Sequence, residues 1–261
     1  PDILRTWYHA DRLSLDKLVP GRGSIAQAQT EYDLWLNRMD DKASSLLCAI
    51  YKASVLGQHI KDDVAIVQTF YHPIPDTTVA RTFELLTTHF GSDYLDAQVV
   101  CPTYEFDNSY GGSPDYNTWV IPYLSVFPSR AGDNVYVVAI NRHQTQDIRC
   151  GITIEGAEPT RASALTIEAD DLWASDLLPH PLPVSGRRAL TVVLPNQSVS
   201  GIRIRVTQAW RDALLPGSGA GPCRPLRCYL SLGSCAAATH FAWPSQKSTF
   251  APPLWAGGHL G

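Results

Sequence analysis

The amino-acid sequence predicts an α+β protein: strand–helix units come first, an antiparallel β-sandwich follows, and an aperiodic tail ends the chain. Residues 64–67, a run of Val, Ala and Ile, are typical of a buried parallel strand, and a helical pattern follows them. Between Leu95 and Thr207, about seven short segments of strand character are separated by turn residues, which is the pattern of a sandwich. Beyond Gln208 no periodicity remains.

The first third of the chain is predicted to alternate strands with helices. Leu4–His9 has the character of a strand end, and residues 11–29 are rich in loop residues. Helical character begins near Thr30 and is plain over Lys42–His59, where small residues on the apolar face suit packing on a sheet. Together with the next strand and helix, this order makes one and a half βα units, too few to close a parallel sheet.

The clearest strand–loop–helix unit is Asp63–Gly91. Its apolar run ends at the polar residue Gln68, and a loop with two prolines follows. We expect Asp76 to cap the next helix and Gly91 to end it in a left-handed conformation. In an α/β barrel, a polar residue at the end of a strand lies on the active-site rim. Gln68 is therefore the first candidate for a site residue.

The sandwich strands are expected where apolar and polar residues alternate or apolar residues form short runs. Their predicted spans are 95–101, 119–127, 134–141, 148–154, 161–168, 190–194 and 199–206. The alternation predicts a buried face that includes Val135, Val137, Ile148, Ile152, Val193 and Ile204.

Composition excludes several classes of function. A net charge of −4 and the lack of a basic stripe argue against a nucleic-acid partner, and no apolar run reaches membrane-spanning length. The six cysteines show no disulfide framework, so we expect free thiols and favour a cytoplasmic location. The chain begins with Pro1 rather than Met, which suggests a start inside a longer protein.

The tail, residues 208–261, is rich in Gly, Pro, Ser and Ala, and we expect it to be disordered or non-native. Its cysteines, Cys223, Cys228 and Cys235, lack the Cys-x-x-Cys spacing of a zinc site. We therefore predict no metal site and no cofactor.

Four segments, in order, resemble the α-L-arabinofuranosidases of glycoside hydrolase family 51. Trp7-Tyr8-His9 is similar to the end of the seventh barrel strand of the family. Residues 64–104, with VAIVQT, THFG and VVCPTYE, resemble the last barrel unit and the first sandwich strand. Residues 134–143 resemble a strand that ends in Asn-Arg, and residues 190–204 resemble the closing strands. The resemblance covers Leu4–Val206.

The resemblance implies three regions: residues 1–93 as the C-terminal part of a (β/α)8 barrel, 94–207 as the β-sandwich, and 208–261 as the tail. The family implies retaining hydrolysis with two glutamates whose carboxyl groups lie ~5 Å apart. The acid/base would lie upstream of Pro1. The nucleophile would stand four residues before Trp7, at Ile3. Isoleucine cannot form a glycosyl ester, so the chain by itself is expected to be inactive.

Two substrate-binding residues carry over from the family by position. Trp7 matches a tryptophan of the active-site wall, and Gln68 matches a glutamine whose amide both donates and accepts hydrogen bonds. The polar residues near them are expected to be structural or solvated: His9, Glu31, Asp33 and His72. The implied partner is an oligosaccharide or polysaccharide that carries arabinofuranosyl groups, and a homo-oligomer stays possible.

A second interpretation is a non-catalytic β-sandwich module that binds carbohydrate or only packs against a neighbouring domain. Such a module needs exposed aromatic residues at a sheet face or rim. Tyr110, Tyr116 and Trp119 are the candidates in the sequence.

Overall fold

The computed structural model describes residues 28–32, 43–62, 66–69, 73–107, 118–207 and 228–232. In these ranges the chain forms two helices and fifteen strands, which confirms the α+β class. In chain order they are β1 Ala28–Tyr32, α1 Leu46–Lys61, β2 Ile66–Thr69, α2 Thr78–Thr88, β3 Asp93–Tyr94, β4 Ala97–Val99, β5 Thr103–Asp107, β6 Thr118–Pro122, β7 Leu124–Ala131, β8 Asn134–Asn141, β9 Ile148–Ile154, β10 Pro159–Glu168, β11 His180–Leu182, β12 Val184–Ser185, β13 Leu190–Leu194, β14 Ser198–Val206 and β15 Cys228–Leu232.

The first unit is a parallel β–α–β crossover. β1 pairs in parallel with β2, with Ala28 opposite Ile66 and Tyr32 opposite Thr69, and α1 lies between the two strands in sequence. The sequence-based prediction of a loop up to Gln29 and a helix from Thr30 was wrong here. A short segment takes its conformation from a pairing partner more than from its own propensity, and β2 supplies that partner.

Helix α1 packs its small-residue face against an antiparallel sheet. Ser45 caps the helix and accepts a hydrogen bond from the amide of Cys48 at 3.5 Å. Leu46, Ile50 and Ala53 are buried in one cluster with Phe127 of β7. The contact brings the backbone of Gly57 so close that an added Cβ would lie 2.3 Å from the Phe127 ring.

Helix α2 begins one residue later than predicted. Thr77 has the extended backbone of an N-cap, and its Oγ1 accepts from the amide of Ala80 at 3.3 Å. Asp76 has a φ of 62°, which is incompatible with a cap, and its carboxylate instead pairs with Arg81. The helix ends at Thr88 with His89 as its C-cap, and Gly91 does not have a positive φ, so the predicted left-handed end at Gly91 was wrong. Gly91 is needed for close approach, because an added Cβ would lie 2.1 Å from the Arg130 backbone.

Two large sheets share a hydrophobic core. One has six strands in the order β11-β10-β14-β8-β7-β3, and the other has five in the order β12-β13-β9-β15-β4. The cluster between them takes Val137 and Ile202 from the first sheet and Ile152 and Leu194 from the second. The opposite face of the six-stranded sheet carries both helices. The described chain therefore stacks helices, a six-stranded sheet and a five-stranded sheet.

The predicted buried face holds for five of its six residues. Val135, Val137, Ile148, Ile152 and Ile204 are at most 4% exposed. Val193 is 36% exposed, so that prediction was wrong. Its neighbours Val192 and Leu194 show the reason: strand residues alternate between faces, and Leu190, Val192 and Leu194 already occupy the buried one.

Five residues of the predicted tail form a strand. Cys228–Leu232 make β15, which pairs antiparallel with β9 and parallel with β4. This corrects the prediction of disorder for those residues, and the rest of 208–261 lies outside the described residues. The side of β9 that faces away from β13 is where the strand adds, since an unpaired sheet edge offers a row of free backbone groups.

Candidate functional site

The candidate site lies where β1 and β2 end. The last residues of the two strands, Tyr32 and Thr69, are register partners. Gln68 lies one residue before Thr69, within β2 rather than after it. Carboxyl ends of parallel strands meet at one edge of a sheet, so the backbone of Gln68 lies beside that edge. Ile3, Trp7, His9, Asp33 and His72 lie outside the described residues.

Glu31 was expected to be a structural or solvated residue, and the structure places it in β1, one residue before Tyr32. The register shifts between Gln29 and Tyr32, so Thr30 and Glu31 together stand opposite the single residue Gln68 of β2. The signal that could have revealed this strand is the β-favouring pair Thr30 and Tyr32 around the glutamate. The edge therefore brings one carboxylate-bearing and one amide-bearing position together.

The N-termini of both helices are closed by one loop that follows β10. The amides of Leu46 and Leu47 donate to the carbonyls of Ala174 and Leu172, both at 2.9 Å. The amide of Thr78 donates to the carbonyl of Ser175 at 2.8 Å. These amides are orphan donors that could otherwise bind an anion at a helix N-terminus. Here the loop satisfies them, and it fixes the two helices side by side.

The Asn-Arg dipeptide at the end of β8 has a structural role. Asn141 is fully buried, and its Nδ2 lies 2.8–3.1 Å from the carbonyl oxygens of Gln146, Leu194 and Pro195. Its Oδ1 accepts from the amide of His143 at 2.9 Å. One amide side chain thus ties the end of β8 to the turns after β8 and β13.

Arg142 holds the β5–β6 hairpin against β8. Its Nη2 donates to the carbonyl of Pro122 at 3.2 Å and to the hydroxyl of Ser125. The ring of Tyr123 lies 4.8 Å from that of Tyr104 and 4.4 Å from that of His143. Burial lowers the pKa of the Arg142 guanidinium, while Tyr104 and Cys101 favour its charged form. These contacts pack Arg142 and the three rings against one another, while the buried Nε of Arg142 has no partner among the described residues.

The ring of His143 is arranged as an acceptor. Its Nδ1 accepts from the amides of Thr145 and Gln146 at 3.2 and 3.0 Å, which requires an unprotonated Nδ1. Partial burial lowers the pKa of His143, which also favours the neutral ring. The neutral ring therefore shapes the turn between β8 and β9.

Two kinds of feature are absent from the part of the chain that the structure describes. Neither helix there is long and apolar enough to cross a membrane. No group of three or more His, Cys, Asp or Glu side chains in the described ranges could hold a metal ion. Tyr110 and Tyr116 lie outside those ranges, and Trp119 is described only as part of the β6 backbone.

The sequence matches no protein-family model and no curated protein. Solved structures do match. The thermostable family 51 α-L-arabinofuranosidase from Thermotoga petrophila RKU-1 matches with a TM-score of 0.58 and 18% identity, over 78% of this chain and 48% of that chain. The α-L-arabinofuranosidase from Thermotoga maritima, in complex with arabinose, gives the same values. The family 51 arabinofuranosidase from Xanthomonas axonopodis pv. citri matches with a TM-score of 0.54 and 15% identity, over 73% and 43% of the two chains.

The chain has the fold of part of these enzymes. It spans about half the length of the first two structures, whose covered share is 48%. The family resemblance seen in the sequence motifs is thereby confirmed at the level of fold. Identity of 15–18% shows the fold alone, so activity and substrate are argued below as proposals.

Proposed function

We propose that this chain forms part of a glycoside hydrolase that releases terminal α-L-arabinofuranosyl groups from arabinan- or arabinoxylan-type oligosaccharides by a retaining mechanism. The observation that carries the proposal is the order of its parts. A parallel β–α–β unit is followed by two sheets that share a core. The chain is similar in fold to the Thermotoga petrophila enzyme over 78% of its length, which supports the proposal.

In this proposal, residues 1–93 contribute the last units of a (β/α)8 barrel and residues 94–207 the β-sandwich. The packing of α1 and α2 on the six-stranded sheet supports the division, since barrel helices lie on the outside and can meet a second domain there. Trp7 and Gln68 would bind the sugar at the carboxyl-end rim. An apolar ring face would pack on the furanose, and an amide would bond a hydroxyl.

Retaining hydrolysis needs a carboxylic acid that protonates the leaving oxygen and a carboxylate nucleophile ~5 Å away. In our proposal neither belongs to this chain, because Ile3 occupies the expected nucleophile position. We therefore expect the purified chain to show no turnover of an aryl α-L-arabinofuranoside above background. Loss of general acid catalysis alone costs ~10²–10⁴-fold.

Glu31 provides the control for this experiment, since it is the carboxylate whose backbone lies at the candidate edge. If the wild-type chain turns over the substrate and Glu31→Gln abolishes that turnover, our assignment of inactivity is wrong. Glu155→Gln is the matched variant, because Glu155 is an exposed glutamate beyond the end of β9. Glu155→Gln should leave the rate of hydrolysis the same as in the wild-type chain.

Gln68→Ala should weaken turnover in a protein that contains the complete barrel. A buried sugar hydroxyl would lose its partner, so the apparent transition-state stabilisation should fall by about 1–3 kcal/mol. The measurement is kcat/KM for an aryl α-L-arabinofuranoside, with the melting temperature as the control for folding. An unchanged kcat/KM would remove Gln68 from the site.

A further inference from the structure

Three arginines lie together on the face of the six-stranded sheet that also carries the helices. Ile202 and Ile204 of β14 are buried in the core between the two sheets. Because strand residues alternate between faces, Arg203 and Arg205 point to the opposite face. Arg161 of β10 is the direct register partner of Arg205 and therefore shares that face. All three arginines are exposed, and we call them the arginine patch.

The helices stop short of the arginine patch. Gly201 is the last residue of β14 on this face that a helix covers, since an added Cβ there would lie 2.5 Å from the ring of His89, the C-cap of α2. Arg203 is the next residue of β14 on the same face, and it is exposed. The part of the sheet beyond His89 is therefore open to solvent.

The charges of the arginine patch are not neutralised within the described part of the chain. No carboxylate of the described residues forms an ion pair with Arg161, Arg203 or Arg205. Arg161 and Arg205 stand directly opposite each other on neighbouring strands, where like charges destabilise a sheet. The whole chain has a net charge of −4, so the patch concentrates positive charge on an acidic protein. A bound anion would relieve the repulsion between the two guanidinium groups.

Arg203 is held in place with most of its donors still available. Its Nε donates to Oδ1 of Asn134 at 3.1 Å, and its Cζ lies 5.9 Å from the centre of the Tyr136 ring. The Tyr136 ring in turn meets the ring of His89 edge to face, with 6.5 Å between the centroids. The bond from Nε is the only hydrogen bond that the Arg203 side chain makes to the described residues. Both Nη groups can therefore donate to a ligand without first being ordered.

The chemistry of the patch favours carboxylates on a polysaccharide. The guanidinium group matches a carboxylate with two parallel hydrogen bonds. Ser163, the exposed register partner of Arg203, adds a hydroxyl that can bond a sugar hydroxyl. Three cations are few for a nucleic acid, because proteins that bind DNA tightly make roughly 6–10 phosphate contacts. The choice of a polysaccharide over an acidic protein rests on the proposed function.

We propose that the arginine patch binds a polysaccharide that carries uronate groups. The guanidinium groups of Arg161, Arg203 and Arg205 hold its carboxylates, and the hydroxyl of Ser163 bonds the sugar. This binding uses neither the barrel rim nor a catalytic carboxylate, so the patch holds the polymer without cleaving it.

The test measures binding of the full 261-residue chain to fluorescently labelled hexagalacturonate by fluorescence anisotropy. We expect binding that weakens as salt is added, because exposed charges are screened. Labelled cellohexaose, a neutral hexasaccharide, should bind at least about tenfold more weakly. The double variant Arg161→Gln, Arg205→Gln should also weaken hexagalacturonate binding at least about tenfold. Replacing both arginines with lysine should retain part of the binding, since the charge stays but the paired donors are lost.

The double variant Arg149→Gln, Arg187→Gln is the matched control. It removes the same number of charges from two exposed arginines that lie outside the six-stranded sheet, one in β9 and one between β12 and β13. Its affinity for hexagalacturonate should equal that of the wild type. Circular dichroism checks that each variant is folded.

Four results would overturn the proposal. The wild type does not bind hexagalacturonate, the folded Arg161→Gln, Arg205→Gln variant binds it as tightly as the wild type, or the control variant loses as much affinity as that variant. The fourth is tighter binding of duplex DNA or poly-L-glutamate than of hexagalacturonate. Failure of the hydrolase proposal is read separately, from turnover of an aryl arabinofuranoside, which does not enter the anisotropy measurement.

Discussion

Asn141→Ala is expected to lower the free energy of unfolding by about 3–5 kcal/mol. Asn141 is fully buried and bonds the backbone of both the turn after β8 and the turn after β13. Alanine would leave several carbonyl oxygens and one amide without this partner, and the carbonyl of Leu194 among them is bonded in a buried position. Each such group costs roughly 1–3 kcal/mol.

Urea denaturation of the two proteins measures this effect. Asn196→Ala is the matched control, since Asn196 is a half-buried asparagine in the same region whose side chain makes one hydrogen bond to the described residues, to the Gln144 carbonyl. Its loss should cost about 0.5–1.5 kcal/mol. Equal losses for the two variants would show that Asn141 does not hold the turns as described.

Gly57→Leu is expected to destabilise the protein by about 3 kcal/mol or more, because the leucine side chain would clash with the β7 residues on which α1 packs. Even a single added Cβ at Gly57 would lie 2.3 Å from the ring of Phe127, which is itself only 3% exposed and packed in the core cluster under α1. Leucine favours a helix over glycine by about 1 kcal/mol, which is too little to offset the clash.

The test compares the thermal midpoints of Gly57→Leu, of Phe127→Ala and of the double variant that carries both substitutions. Removing the ring opens the space that the leucine needs, so the double variant should lose less stability than the sum of the two single variants. If the stability losses of the two single variants simply add, or if Gly57→Leu is as stable as wild type, the close packing of α1 on β7 is wrong.

Some of the architecture followed from the sequence alone. The spans predicted for β8, β9 and β13 coincide with the observed strands. In β9, Ile148, Cys150, Ile152 and Ile154 are buried while Arg149 and Thr153 are exposed. The reason is local: a strand with one face on a core must alternate with a period of two, and that period is visible in a single segment.

Of the candidate site, the sequence placed Gln68 at the end of a parallel strand, and the structure has it in β2 beside that end. Its contact with a sugar, and that of Trp7, stay predictions. The partner strand was not predictable from local pattern. β1 is a strand because β2 is available to pair with it, and Glu31 reaches the same edge only through that pairing.

The sequence by itself determined the α+β class, the positions of the strongly alternating strands and the apolar face of α1, because these depend on residues close together in the chain. Tertiary structure alone decided which strands pair, that Cys228–Leu232 adds a strand beside β9, and that Gly57 must be small where Phe127 meets it. It also decided that the turn after β8, the loop after β10 and the turn after β13 meet at one end of the two sheets. Such contacts join residues tens of positions apart, and their free energy depends on the packing of the whole chain, which no local pattern carries.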